Sequence, residues 1–133
     1  MTKTYIKDYT NTFNIRGTEI KVTAPAKFDA DTNEIVADSE LDNKAVKLAQ
    51  DKYRKKYDFI GPEEIKALRK KWKISQKRLA EIIGWSPSTV ALYEVGEIPT
   101  ISNNRLLKVL IKHPQVMQDF IAESKSDHER KEM

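Results

Sequence analysis

Residues 74–94 read ISQKRLAEIIGWSPSTVALYE. Leu79, Ala80, Ile82 and Ile83 follow helical spacing behind a capping Ser75, and a second helix opens at Ser86-Pro87. Two helices that cross closely need a small residue at the crossing, and Ala80 supplies it. Four residues on, Gly84 can take the positive φ that a sharp turn demands. Six residues further, Val90 is placed to bury against the first helix, supported by Leu79, Ile83 and Tyr93. Small, glycine, apolar at this spacing predicts a helix, a tight turn and a second helix packed across the first.

That geometry is the one used to lay a helix in the major groove of DNA, its N-terminal residues at base edges. With Val90 and Tyr93 inward, Pro87, Ser88, Ala91 and Leu92 should point outward. Ser88 and Thr89, with Ser86 at the cap, can hydrogen-bond bases or phosphates, and Leu92 can meet a thymine methyl. Gln76, Lys77 and Arg78 at the start of the preceding helix are candidate phosphate contacts. So are Ser102, Asn103, Asn104 and Arg105 at the start of a later helix. The outward face carries no arginine, so affinity should come mainly from backbone contacts, with modest base discrimination unless DNA shape assists. The bland alternative is an ordinary helical hairpin with a leucine and isoleucine core.

Charge is in keeping with the first reading, although on charge alone a solvated lysine-rich face is the favoured one. The chain has 133 residues and a net charge of +4. Residues 59–113 hold ten Lys+Arg against five Asp+Glu, whereas residues 1–58 hold eleven against ten and residues 114–133 three against five. The positive excess therefore lies on the segment with the helix pair, as a polyanion partner would require. A solvated lysine-rich helix face is the other explanation. There is no cysteine, which excludes disulfides and thiolate zinc sites. No apolar run approaches a membrane span, and MTKTYIKDYTNTF has no signal core, so a mature cytoplasmic protein is expected.

Upstream, TFNIRGTEIKVTAP alternates apolar and polar residues about Arg16-Gly17 and predicts a hairpin ended by Pro25. KFDADTNEIV suggests two more strands about Thr32-Asn33. Residues 39–57 predict a helix with Ser39 as N-cap, a stripe of Leu41, Ala45, Leu48, Ala49 and Tyr53, and a basic last turn. DFIGP then breaks the chain. Downstream everything reads as helix. Pro62 sits at a first helical position before Ile65, Leu68 and Trp72. Thr100 or Ser102 can cap a helix with Leu106, Leu107 and Leu110 inward, and Pro114 opens a last helix with Val116, Met117, Phe120 and Ile121. The expected fold class is α+β: an N-terminal module over 1–58 (strands about 11–36, helix about 39–57), open to a protein partner, then an all-α five-helix domain over 59–123 and a loose tail over 124–133. Leu106, Val109, Met117, Phe120 and Ile121 exceed what one small core needs, which predicts a homodimer interface.

ISQKRLAEIIGWSPSTVALYEVGEIP resembles the lambda-repressor-like, XRE-type helix-turn-helix. More narrowly, GPEEIKALRKKWKISQKRLAEIIG with YEVGEIPTISNNRLLKVLIKHPQVM is similar to the C-terminal half of MqsA-type antitoxins, most distinctively at Leu107, Lys108, Val109, Leu110, Lys112, His113 and Pro114. The resemblance implies a dimer on palindromic double-stranded operators, autoregulation of a toxin–antitoxin operon, and an N-terminal domain that binds a protein toxin. Two departures stand out. The family's N-terminal module holds zinc through paired CxxC motifs, and KFDADTNEIV stands where one is expected, so no metal is predicted. The family's outward recognition positions carry Asn and Arg, where this chain has Ser88 and Leu92, so operator sequence does not transfer.

Other constellations are weaker. DADTNEIVADSE matches parts of a calcium loop but has Glu34 where a glycine is needed, and a polar turn is the better reading. His113 suits a helix C-terminus, His128 lies in the tail, Trp72 and Trp85 suit packing, and no residue cluster resembles a nucleophile and base. An enzyme is not expected, nor a cofactor. The expected function is that of a sequence-specific DNA-binding transcription regulator that, by the resemblance, serves as antitoxin. Its alternatives are a protein-binding module with a vestigial helix-turn-helix, or a phage or mobile-element repressor without a toxin.

Overall fold

A computed structural model describes residues 3–132 of the chain, with side chains through residue 127. The chain divides into two compact units, one ending at Tyr57 and the other beginning at Asp58.

The first unit is a hairpin covered by a helix. Strands β1 (Thr4–Ile15) and β2 (Thr18–Asp29) pair antiparallel along twelve residues each, and β3 (Ile35–Val36) adds to the far end of β2. The two-residue loop puts Arg16 and Gly17 both at positive φ, 49° and 84°, the arrangement whose twist suits a tight hairpin. Asn14 Oδ1 accepts the Gly17 N–H at 3.0 Å. The hairpin is longer than the alternation suggested, because residues 4–10 also join it. Pro25 does not end the second arm. The tight turn makes Ile15–Thr18 a mutually hydrogen-bonded pair, and bonding alternates from there. Pro25, opposite Asp8, falls in a pair whose amides face away from β1, so its missing N–H removes no rung.

Ile20, Val22, Ala24 and Phe28 occupy one face of β2, and α1 (Ser39–Tyr57) buries Ala49 and Tyr53. The helix is capped by Asp38, not Ser39: Asp38 Oδ1 accepts the Leu41 N–H at 3.0 Å, and the Asp38 N–H donates to Asp42 Oδ2 at 3.2 Å. The Leu41 N–H bond holds the Asp38 carboxyl below its usual range, helped by Lys27 at 3.3 Å. Leu48, expected in the buried stripe, is exposed, because Ala49 and Tyr53 centre the covered face.

The second unit contains α2 (Pro62–Trp72), α3 (Gln76–Ile83), α4 (Pro87–Glu94), α5 (Ile101–Lys112) and α6 (Pro114–Glu132). Ile65, Leu68, Leu79, Ala80, Val90, Tyr93, Leu107, Leu110 and Met117 are buried in its core. Met117 is wholly buried there, so it is not available to a second copy as the sequence reading proposed. Leu106, Phe120 and Ile121 pack partly buried against the same core, and Val109 remains 40% exposed. Helix α6 continues across the stretch expected to fray. Its Glu, Lys and Arg residues are good helix formers without an apolar stripe. Ser124 is buried, donating to Ile121 O and accepting from Arg78. The side chain of His128 lies outside the described residues.

Candidate nucleic-acid interface

The α3–α4 crossing is built as the spacing requires. Ser75 caps α3 by accepting the Arg78 N–H at 3.0 Å. Gly84 ends it at φ 92°, and both Gly84 and Trp85 donate N–H bonds to Ala80 O at 2.8 Å. A Cβ on Gly84 would meet nothing within 4 Å. The glycine is therefore needed for its backbone conformation, not for space. Gly84→Ala should cost about 1–2 kcal/mol through left-handed strain, read as a lower midpoint in urea unfolding with unchanged slope.

With Leu79, Ala80 and Val90 fully buried, α4 turns its first residues outward. Ser86, Pro87 and Ser88 are exposed, Thr89 and Ala91 half-buried, and Leu92 is 48% exposed. No side chain caps α4 at Ser86. Instead Ser86 Oγ lies 2.9 Å from Ser88 Oγ and 3.1 Å from Thr89 Oγ1. Pro87 has no N–H and the Thr89 N–H bonds Ser86 O at 3.1 Å, so the backbone itself closes this turn and leaves three hydroxyls standing together at its start. Trp85 packs edge-on against Tyr93 at 5.7 Å, a structural role.

Beneath this surface lies a network absent from the sequence reading. Arg69 on α2 grips Glu94 on α4 with two parallel bonds of 2.7 Å and donates to Ile74 O at 3.2 Å. Burial pushes the Glu94 carboxyl up, but hydrogen bonds from Arg69 and Gln76, with the charges of Arg69 and Lys66, more than reverse this and hold it below the usual range. The Glu94 bond in turn raises Arg69. One signal could have revealed the pair. Val90 and Glu94 are four apart on a helix whose Val90 face is core, so Glu94 had to be buried and to need a cation.

The predicted contact residues therefore divide. Lys77, Ser86, Ser88, Leu92, Ser102 and Arg105 are exposed, and Thr89 is half-buried beside them. Gln76 is half-buried and bonded to Glu94. Arg78 reaches Ser124 at 3.1 Å and Glu81 at 3.4 Å. Asn103 donates to the Tyr93 hydroxyl at 2.9 Å. Asn104, expected to contact phosphate, is not free to do so. It is buried, its Oδ1 accepting the Ile60 N–H at 2.7 Å and its amide donating to Asp58 O at 3.3 Å. It pins the start of the unit to α5, where Lys108 also bonds Asp58 at 2.7 Å. Asn104→Ala should strand the buried Ile60 amide at a cost of about 1–3 kcal/mol, seen in thermal melts. Exposed Lys70, Lys71 and Lys73, close in sequence to the start of α3, were not singled out. A basic last turn looks like ordinary complementarity to a helix dipole, which hid them.

The residues do not fit the zinc site that the resemblance carries. There is no cysteine, and among the described residues no group of three or more His, Cys, Asp or Glu could hold a metal. The suggested calcium loop is a turn in which Asp29 Oδ1 accepts the amides of Asp31 and Thr32. Among the described residues no helix is long and apolar enough to cross a membrane.

Fold and site together define a mixed α+β protein: a helix-covered hairpin unit, then an all-α unit built around two short helices crossed over a left-handed glycine. The family model for the antitoxin component of a bacterial toxin–antitoxin system, MqsA, matches residues 2–121, and the chain belongs to that family. It is 36% identical over 64 residues to the Antitoxin MqsA of Escherichia coli (strain K12). That match spans 47% of this chain and about half, 49%, of the relative.

Proposed function

We propose that this chain is the cytoplasmic, non-enzymatic antitoxin of a toxin–antitoxin pair: it neutralises a protein toxin and represses its own operon as a homodimer on a palindromic operator. The observation that carries the DNA-binding part is the exposed first turn of α4, where the hydroxyls of Ser86, Ser88 and Thr89 cluster. The helix enters the major groove there, and Leu92 touches a thymine methyl. Lys77 and Arg105 hold phosphates, together with Lys70, Lys71 and Lys73. Arg78 and Gln76 act mainly by fixing α3, and Asn103 by fixing Tyr93. Val109, with the exposed parts of Leu106, Phe120 and Ile121, supplies the dimer contact. The toxin engages the hairpin unit. The antitoxin part rests on family membership.

The test is binding to DNA upstream of the chain's own gene against scrambled DNA at two salt concentrations. Preference for the upstream DNA supports the reading, and equal binding to both leaves a sequence-blind role. Absence of binding at low salt removes the regulator altogether.

A further inference from the structure

The two long edges of the first unit's sheet are treated differently. A free strand edge is a template for another strand, and proteins that do not want one block it with proline, lysine or a covering element. The β2 edge is blocked at several points. β3 covers Lys27 and Phe28, and the Asp29 N–H bonds Glu34 O at 2.9 Å. Pro25 has no N–H to offer there. Lys52, reaching from α1, takes the outward Lys21 carbonyl at 2.7 Å.

The outer edge of β1 carries no proline and, among the described residues, no covering strand, and its Lys7 is drawn over the Phe28 ring. From the register, the amides and carbonyls of Thr4, Ile6, Asp8, Thr10, Thr12 and Asn14 face away from β2. The Ala30 N–H bond to Lys3 O, 2.9 Å, fits the same alternation. Among the described residues only the Thr12 amide on this edge finds a partner, Asn11 Oδ1 at 2.9 Å. The side chains along the open edge are not protective either. Ile6 is 62% exposed on the face away from α1. On the other face Tyr5 stacks on Phe28 at 5.6 Å, Tyr9 meets it edge-on at 5.9 Å and is 43% exposed, and Lys7 Nζ lies 4.8 Å over the same ring.

We infer that the open edge of β1, centred on Ile6–Thr10, is where an extended strand of the partner protein docks by continuing the sheet. This rests on the antitoxin reading above and gives it a surface. Main-chain bonds to the outward groups supply affinity, and alternate side chains supply choice. The strand that fits has apolar or aromatic residues beside Tyr5 and Tyr9, an acidic residue between them beside Lys7, and an apolar residue beside Ile6. A second copy of this chain fits less well, because two-fold pairing centred on Lys7 or Asp8 sets like charges opposite each other.

A matched pair of substitutions tests it in the full chain, with the protein encoded by the gene next to this chain's own as probe. Thr10 and Thr23 share one hydroxyl bond of 2.7 Å across the ladder, and both backbone amides face outward. Thr10→Pro and Thr23→Pro therefore lose the same side-chain contact, but only Thr10→Pro obstructs the β1 edge. Thr10→Pro should weaken binding about tenfold or more, and Thr23→Pro less than about threefold. Hydrogen exchange on the wild-type complex should show the Ile6, Asp8 and Thr10 amides becoming protected, a readout that needs no variant to fold. Failure of the wild-type chain to bind the probe sinks the antitoxin reading and this inference with it. Binding that leaves those amides unprotected, or that both variants weaken equally, overturns the edge alone. Protection of the same amides on concentrating the chain without the probe would assign the edge to a second copy instead.

Discussion

Replacing Arg69 by alanine should cost about 3–5 kcal/mol, because it leaves the Glu94 carboxylate buried without its bidentate partner. A domain of this size has roughly 5–15 kcal/mol in all, so the second unit should melt far below the wild type. Glu94→Ala should cost less: Arg69 is less buried than Glu94 and keeps the Ile74 carbonyl. Arg69→Met with Glu94→Leu should recover much of the loss, since an apolar pair of similar volume carries no charge to desolvate. The pH dependence identifies the cause. In the wild type the Glu94 carboxyl is held below its ordinary value of 4.5, so its stabilisation is present above that pH and is lost as acid protonates the group. In Arg69→Ala only Gln76 and Lys66 still oppose burial, so the carboxyl rises and that variant gains less stability than the wild type as pH rises. The gap between the two proteins should therefore be wide at pH 7 and narrow towards pH 4. A gap independent of pH would assign the loss to packing. The site feels this network directly, because Glu94 ends α4 and holds Gln76 at the start of α3.

The second large effect is expected on DNA. Ser88→Glu should lower affinity for the upstream DNA by about 100-fold, as an unpaired charge brought into a polar interface does. Folding should not suffer, since an acid in the first turn of a helix complements its dipole. Thermal melts and binding isotherms on the same preparation separate the two. If the dimer neutralises about six phosphates, the wild type should lose about 10³-fold in affinity between 50 and 200 mM salt. Lys77→Ala should weaken binding to all sequences alike and flatten the salt dependence by about one phosphate for each Lys77 removed. Full affinity in Ser88→Glu would remove α4 from the groove and leave the helix pair as a structural core.

How far the residues spoke for themselves differs between the two units. In the second, the turn at Gly84, the caps at Ser75 and Thr100 and the burial of Ala80 and Val90 were legible, because each depends on chemistry within a few residues. The outward set of α4 followed from helical periodicity once Val90 was placed inside. In the first, the alternation about Arg16-Gly17 marked the hairpin but not its length. Residues 4–10 alternate poorly, and β1 is held by its ladder to β2, not by its own burial.

Local order thus determined the existence of each helix, the glycine turn and the tight hairpin loop, because short-range sterics and capping settle them. Long-range contacts decided the rest. Asn104 and Met117 looked like surface residues available to DNA or a second copy, but Ile60 and the shared core claim them from 44 residues away and from neighbouring helices. Helical spacing from Val90 marks Glu94 as buried, but only packing selects Arg69, 25 positions away, as its partner. Pro25, read as a strand end, is tolerated only because the register turns its nitrogen away from β1. In each case a polar or special residue is defined by the partner that burial forces upon it, and that partner is fixed by how the elements pack.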